Sequence, residues 1–243
     1  MKILALETSA RSVSAAVVEN GSVLASSFQC TGLTHSRTLM PMVDAMLKNA
    51  ELSLDAIGLF AVAAGPGSFT GLRIGVSALK GLAWAAEKPC AGVSTLEAMA
   101  QNLAHTEDTL LICAMDARRA QVYNALFEAR GGVLTRLCPD RAIGLDELCG
   151  QVRCDPRRKI VLGDGAVLAH DYFSAQGVAC SIAPDALRWQ NAVGVALCAE
   201  QAAARGETVS AHELRPVYLR VSQAERERSA RLQKQNGPNG TVR

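Results

Sequence analysis

The chain has 243 residues and is 49% apolar. That is enough for one large domain or two small ones with a sizeable core, and it excludes a globally disordered chain. Its 25 basic and 23 acidic residues leave a formal charge of +2, too balanced for a protein that coats nucleic acid by bulk charge. The excess is local, since Gln223–Arg243 carries +3 and the remaining body −1.

Lys2–Glu7 reads as a buried strand, because Glu7 interrupts a run too short for a signal peptide. Ser12–Val18 follows as a second strand, Asn20-Gly21 as a hairpin turn and Val23–Gln29 as a third strand. A helical pattern covers 34–50, an apolar strand 57–64 and a second helix 68–87. The order is β-β-β-α-β-α. After a polar break near Leu103–Thr109 it repeats. Leu110–Asp116, Gln121–Glu128 and Val133–Cys138 are strands, with Gly131-Gly132 as the turn. Then come a helix at 145–152, a strand at 159–162, a helix at 166–173, a strand at 180–182 and a helix at 191–205. The expected domains are 1–105, 106–222 and a polar, basic, mobile tail at 223–243. No stretch reaches the ~18 apolar residues that span a bilayer. The eight cysteines form no Cys-x-x-Cys pair and read as reduced residues of a cytoplasmic protein.

The chemistry-bearing segment is Ala63-Ala-Gly-Pro-Gly-Ser-Phe-Thr-Gly-Leu-Arg-Ile-Gly75, where an apolar strand turns into a helix. Exposed amides at such a turn form an anion site, which makes Gly65, Pro66, Gly67, Ser68, Thr70 and Arg73 candidates for an anion- or nucleotide-proximal turn. A tight turn with no ligand is the other reading. The segment is neither a Walker A loop nor a Gly-x-Gly-x-x-Gly fingerprint.

This signature, with LALETSA at the start, GVSTLEAMA at 92–100, MDARRAQVY at 115–123 and RPVYLR at 215–220, resembles the TsaB (YeaZ) family. That family is the bacterial partner subunit of the machinery that makes threonylcarbamoyladenosine in tRNA. The resemblance implies an α/β fold of the duplicated actin-like ATPase (ASKHA, RNase H-like) plan with a degenerate nucleotide cleft. The related catalytic subunit, TsaD, binds metal through two histidines four residues apart. Thr95 and Met99 stand where those histidines would be, so the resemblance implies no metal site here. The turns Glu7-Thr8-Ser9 and Asp116-Ala117-Arg118-Arg119 lack the glycines of superfamily phosphate loops. No cofactor of its own is therefore expected, with ATP or ADP and metal held by the partner subunits.

The first helix gathers Leu39, Met40, Met42, Val43, Met46 and Leu47 on one arc, of which Leu39, Met42, Val43 and Met46 are taken as interface candidates. The second has an apolar face with Leu72, Val76 and Leu79 and a small-residue face with Gly71, Gly75, Ala78 and Leu82. A helix apolar on two faces needs two covers, supplied either within the chain or by another subunit. The resemblance implies pairing through these two helices, with TsaD or, when alone, with a second copy. These eleven residues are the expected partner interface. The implied function is a non-catalytic subunit that binds TsaD, helps recruit the ATPase TsaE and meets tRNA only through the complex. The competing reading is a stand-alone enzyme of the same fold, a kinase-like phosphotransferase or a glycoprotease-like metallopeptidase.

Overall fold

A computed structural model describes residues 1–220, so the tail expected at 223–243 lies outside the described residues. In the first half, β1 (Lys2–Glu7), β2 (Val13–Glu19) and β3 (Ser22–Gln29) form an antiparallel meander. Its β2–β3 turn works because Asn20 and Gly21 both hold positive φ, +50° and +74°, the pair a tight right-twisting hairpin needs. Then follow α1 (His35–Asn49), β4 (Leu59–Gly65), α2 (Phe69–Ala85), β5 (Cys90–Ser94) and α3 (Thr95–Ala100). Strands β4 and β5 join in parallel, giving the order β3-β2-β1-β4-β5.

The second half repeats this with β6 (Thr109–Asp116), β7 (Gln121–Arg130), β8 (Val133–Arg136), β10 (Arg158–Leu162) and β11 (Ser181–Ile182) in the order β8-β7-β6-β10-β11. Gly131 and Gly132 repeat the positive-φ turn at +57° and +83°. An added strand, β9 (Arg141–Gly144), also pairs with β7. Helices α4 (Leu145–Arg153), α5 (Ala166–Ala175), α6 (Asp185–Arg188) and α7 (Ala192–Ala204) complete the elements among the described residues. The two sheets share strand order and strand sense, which is the duplicated actin-like plan.

The helices do not respect the halves. Alternation along β1 sends Leu4 and Leu6 to one face, with α1 and α2, and Ile3 and Ala5 to the other. That second face is covered by α7, from the far end of the chain, through Val195, Ala196 and Ala199. Helix α3, from the first half, instead packs Leu96, Met99 and Ala100 on Leu111, Cys113 and Phe127 of the second sheet. A cut near residue 105 separates the strands of the two sheets but not their cores. The β5–α3 segment, β9 and α6 extend the expected element order. The start of α3 was legible, since Ser94-Thr-Leu-Glu97 is a capping-box sequence and the Ser94 hydroxyl accepts from the Glu97 amide at 3.2 Å. Among the described residues no helix is long and apolar enough to cross a membrane.

The α3–α7 crossing needs a glycine, because a Cβ on Gly194 would lie 2.0 Å from the Ala98 carbonyl oxygen. Gly194→Ala is expected to cost about 1–3 kcal/mol, read by urea denaturation. Gly81→Ala, where a Cβ meets nothing within 4 Å, is expected to be neutral or to stabilise by up to about 1 kcal/mol.

Candidate functional site

A cleft of about 630 Å³ opens where the β1–β2 turn, the start of α2, the β6–β7 turn and residues 218–220 meet. Its first wall is built by close approach. The Ser68 amide donates to the Ser9 carbonyl at 2.7 Å, and the Thr8 hydroxyl donates to the Gly71 carbonyl at 2.8 Å. A Cβ on Gly67 would fall 2.6 Å from Ser9 O, and one on Gly71 2.1 Å from Thr8 O. The signature glycines therefore admit the chain's own β1–β2 turn. Ser68 caps α2 by accepting from the Gly71 amide at 3.3 Å. Gly65 and Pro66 are buried, while Thr70 and Arg73 are exposed.

A C-terminal strap forms the second wall. Val209 bridges Cys90 at the edge of the first sheet, Leu214 is buried, and the Val217 amide donates to the Ala64 carbonyl at 2.7 Å. Gly65 has φ +138°, and a Cβ there would sit 2.2 Å from Val217 O. Only glycine suits that position. Tyr218 then stacks on Phe69 with centroids 4.7 Å apart, and the Arg73 guanidinium lies 3.9 Å over the Phe69 ring while its Nε donates to the Tyr218 hydroxyl. Arg220 donates to the Ala117 carbonyl at 2.6 Å, so the strap joins both halves. Opposite, Arg118, Arg119 and Ala120 hold φ of +63°, +58° and +54°. Three successive non-glycine residues in the left-handed region cost about 1 kcal/mol or more each.

Beneath the cleft lies a buried polar cluster. Glu7, Ser9 and Gln190 are fully buried, and Gln190 Nε2 donates to Asp164 Oδ1 at 3.1 Å. Glu7 Oε2, Ser9 Oγ and Gln190 Oε1 make no hydrogen bond of good geometry. Burial pushes the Glu7 carboxyl up to about 7 against the pull of Ser9, and burial likewise raises Asp164. Gln190 was not singled out by sequence; Glu7 was, as the acid ending β1 in a turn without glycine, but its burial was not visible there. Thr95 and Met99 are both buried on α3, Met99 packing beside Gly163. Among the described residues, no three His, Cys, Asp or Glu side chains are placed to hold a metal ion.

The expected partner face runs the other way. Leu39, Met42, Val43 and Met46 of α1, and Leu72, Val76 and Leu79 of α2, are buried against the first sheet. Gly71 and Gly75 face the β1–β2 turn, where a Gly75 Cβ would meet Thr8 Oγ1 at 2.3 Å. Only Ala78 and Leu82 of the eleven reach the surface, and partly. The richest apolar arc of a helix on a sheet is its core side, where burying each Leu contributes about 1.5–3 kcal/mol. The outward side instead carries Met40, Pro41 and Ala45 on α1 and Gly81, Trp84 and Ala85 on α2, with Trp84 79% exposed.

A family model described as TsaD, tRNA N6-adenosine threonylcarbamoyltransferase, matches residues 29–227. The TsaB tRNA threonylcarbamoyladenosine biosynthesis protein of Bacillus subtilis is 32% identical over 229 residues, covering 93% of this chain and 96% of the relative. The Escherichia coli TsaB protein is 40% identical over 129 residues, covering 53% and 55%. The solved structure of YeaZ from Pseudomonas aeruginosa is similar at TM-score 0.75 and 28% identity, covering 90% of this chain and 99% of that one.

Because the Glu7 pKa is raised from 4.5 to about 7, the folded state binds the extra proton between those values. Its contribution is fullest below pH 4.5 and is lost as pH rises toward 7, by about 3 kcal/mol. Glu7→Gln removes that loss. Urea denaturation at pH 5 and pH 8 is expected to show the variant gaining on the wild type by roughly that amount at the higher pH.

Proposed function

The chain belongs to the tRNA N6-adenosine threonylcarbamoyltransferase family and to its TsaB proteins of threonylcarbamoyladenosine biosynthesis, and from that premise we propose that it is a non-catalytic subunit of the transferase. In this reading it binds TsaD through the outward faces of α1 and α2, helps recruit TsaE and pairs with a second copy when alone. The nucleotide and metal belong to the partners. The system moves a threonylcarbamoyl group to N6 of the adenosine beside the anticodon.

One observation carries the reading. The two helices that cover the first sheet expose apolar residues, Met40, Pro41 and Ala45 on α1 beside the Lys48–Asp44 ion pair, and Gly81, Trp84 and Ala85 on α2, with Leu82 half-buried. A tryptophan 79% exposed beside small residues suits a helix-on-helix contact, since small side chains let a second pair of helices approach closely and a large aromatic anchors them. The other observation in its favour is the filled glycine turn. The β1–β2 turn occupies the space beside Gly67, Gly71 and Gly75, leaving no backbone cradle for a phosphate tail there, as catalysis by this chain alone would need.

Gly81 is open and has no positive φ, so Gly81→Glu is expected to fold as the wild type does while placing a charge on the outward face of α2. Light scattering after size exclusion, of the chain alone and mixed with TsaD, is expected to show a dimer that exchanges for a mixed complex, both lost in the variant. A variant that still forms the mixed complex, or a wild type indifferent to TsaD, would overturn the proposal.

A further inference from the structure

Three sequence signatures that the docking face leaves unused converge on the cleft mouth: the start of α2, the β6–β7 turn and the strap. Arg11, Arg118 and Arg220 line it from three separate segments. Arg119 follows in the same left-handed turn, and Arg73 stacks at the edge on Phe69. Among the described residues none of these five arginines is in an ion pair. Elsewhere five described arginines are neutralised, among them Arg136 by Glu97 and Asp140 and Arg157 by Glu128 and Asp155, and the other five are scattered over separate elements without an ion pair among the described residues. Beside the guanidinium groups stands an aromatic shelf, Phe69 stacked with Tyr218, which is 38% exposed. The strained turn that holds out Arg118 and Arg119 is the kind of outlier that persists at functional sites.

We infer that the cleft mouth is a contact surface for an RNA strand, with Arg11, Arg118, Arg119 and Arg220 on successive phosphates and the Phe69–Tyr218 pair against a base. The choice of RNA rests on the proposed role in tRNA modification; the pairing of guanidinium groups with an aromatic shelf is the general chemistry of single-strand recognition. The floor argues against a free nucleotide buried in the cleft. Asp116 and Asp164 line it, and a polyphosphate there would face both carboxylates. Asp116 accepts from the Arg118 amide at 2.7 Å, which fixes the turn and leaves the Arg118 side chain at the rim. A strand crossing the mouth meets the arginines and stays clear of the half-buried Asp164, while Asp116, exposed beside Arg118, is engaged by the Arg118 amide. The surface is compatible with the docking face. Arg73 and Trp84 lie on one helix, about 16 Å apart along its axis at 1.5 Å per residue.

The test is fluorescence anisotropy of the full 243-residue chain with a labelled, unmodified tRNA anticodon stem-loop, titrated at several salt concentrations. The charge variant is Arg11→Gln/Arg118→Asn/Arg119→Asn, because asparagine tolerates left-handed backbone. Its thermal midpoint is expected to match the wild type. Its affinity is expected to fall tenfold or more, and the slope of log K against log salt to flatten by about two to three. Tyr218→Leu is expected to weaken binding by roughly fivefold or more with the slope unchanged. Equal binding by the wild type and the charge variant would overturn the inference, as would binding carried by residues 221–243 alone. Displacement of the stem-loop by a modest excess of ATP would also overturn it, since the occupant would then be a free nucleotide. Rim-dependent binding in a chain that fails to assemble with TsaD would leave this inference standing and remove the docking proposal.

Discussion

The position of α2 depends on one close approach. The backbone of Thr8 and Ser9 runs along the glycine face of the helix, near enough that a Cβ on Gly71 or Gly75 would lie 2.1–2.3 Å from Thr8 oxygens. Two hydrogen bonds hold it there, Ser68 to Ser9 and Thr8 to Gly71. The contact fixes how the helix is rotated on the sheet, and the rotation decides everything on its two ends. Leu72, Val76 and Leu79 go inward; Trp84 and Gly81 go outward; Phe69 and Arg73 arrive at the cleft mouth. A signature that looks like a phosphate loop is thus first a packing device, and function follows from what the packing leaves exposed.

The second constraint is the exchange of helices. With α7 on the first sheet and α3 on the second, the two repeats share a central layer instead of facing each other as separate bodies. Arg136 adds to the link, bonding Glu97 of α3 at 2.7 Å and Asp140 at 2.6 Å, while Ser94 donates to Asp140. The strap closes the other end through Val217 and Arg220. The cleft between the halves is therefore walled by the protein's own polypeptide on several sides.

The polar cluster under the cleft is the costly part of this arrangement. Fully buried oxygens of Glu7, Ser9 and Gln190 lack good partners, and unsatisfied buried groups destabilise. Burial makes Glu7 hold its proton to about pH 7, which removes a charge the interior could not solvate. The stability of the whole chain is coupled to pH through this residue, although it lies at the end of the first strand and touches no surface.

The amino-acid sequence by itself determined the element order and the duplication. Period-2 and period-3.6 patterns are local, and the turns Asn20-Gly21 and Gly131-Gly132 announce themselves through residues that tolerate positive φ. The family was legible too, because signature glycines and short motifs survive as strings. Which face of a helix meets the sheet was not legible. Two apolar arcs on α2 look alike on a wheel, and only the backbone at Thr8 and the sheet itself decide that Leu72, Val76 and Leu79 meet the sheet while Gly71 and Gly75 meet the β1–β2 turn. The swap of α3 and α7 was equally invisible, since a helix buries its apolar face against whichever sheet the chain path offers. Gathering Arg11, Arg118 and Arg220 from positions more than a hundred residues apart, and burying Glu7 beneath them, required the fold. Contacts so distant in sequence leave no local pattern; they exist only once the chain has closed.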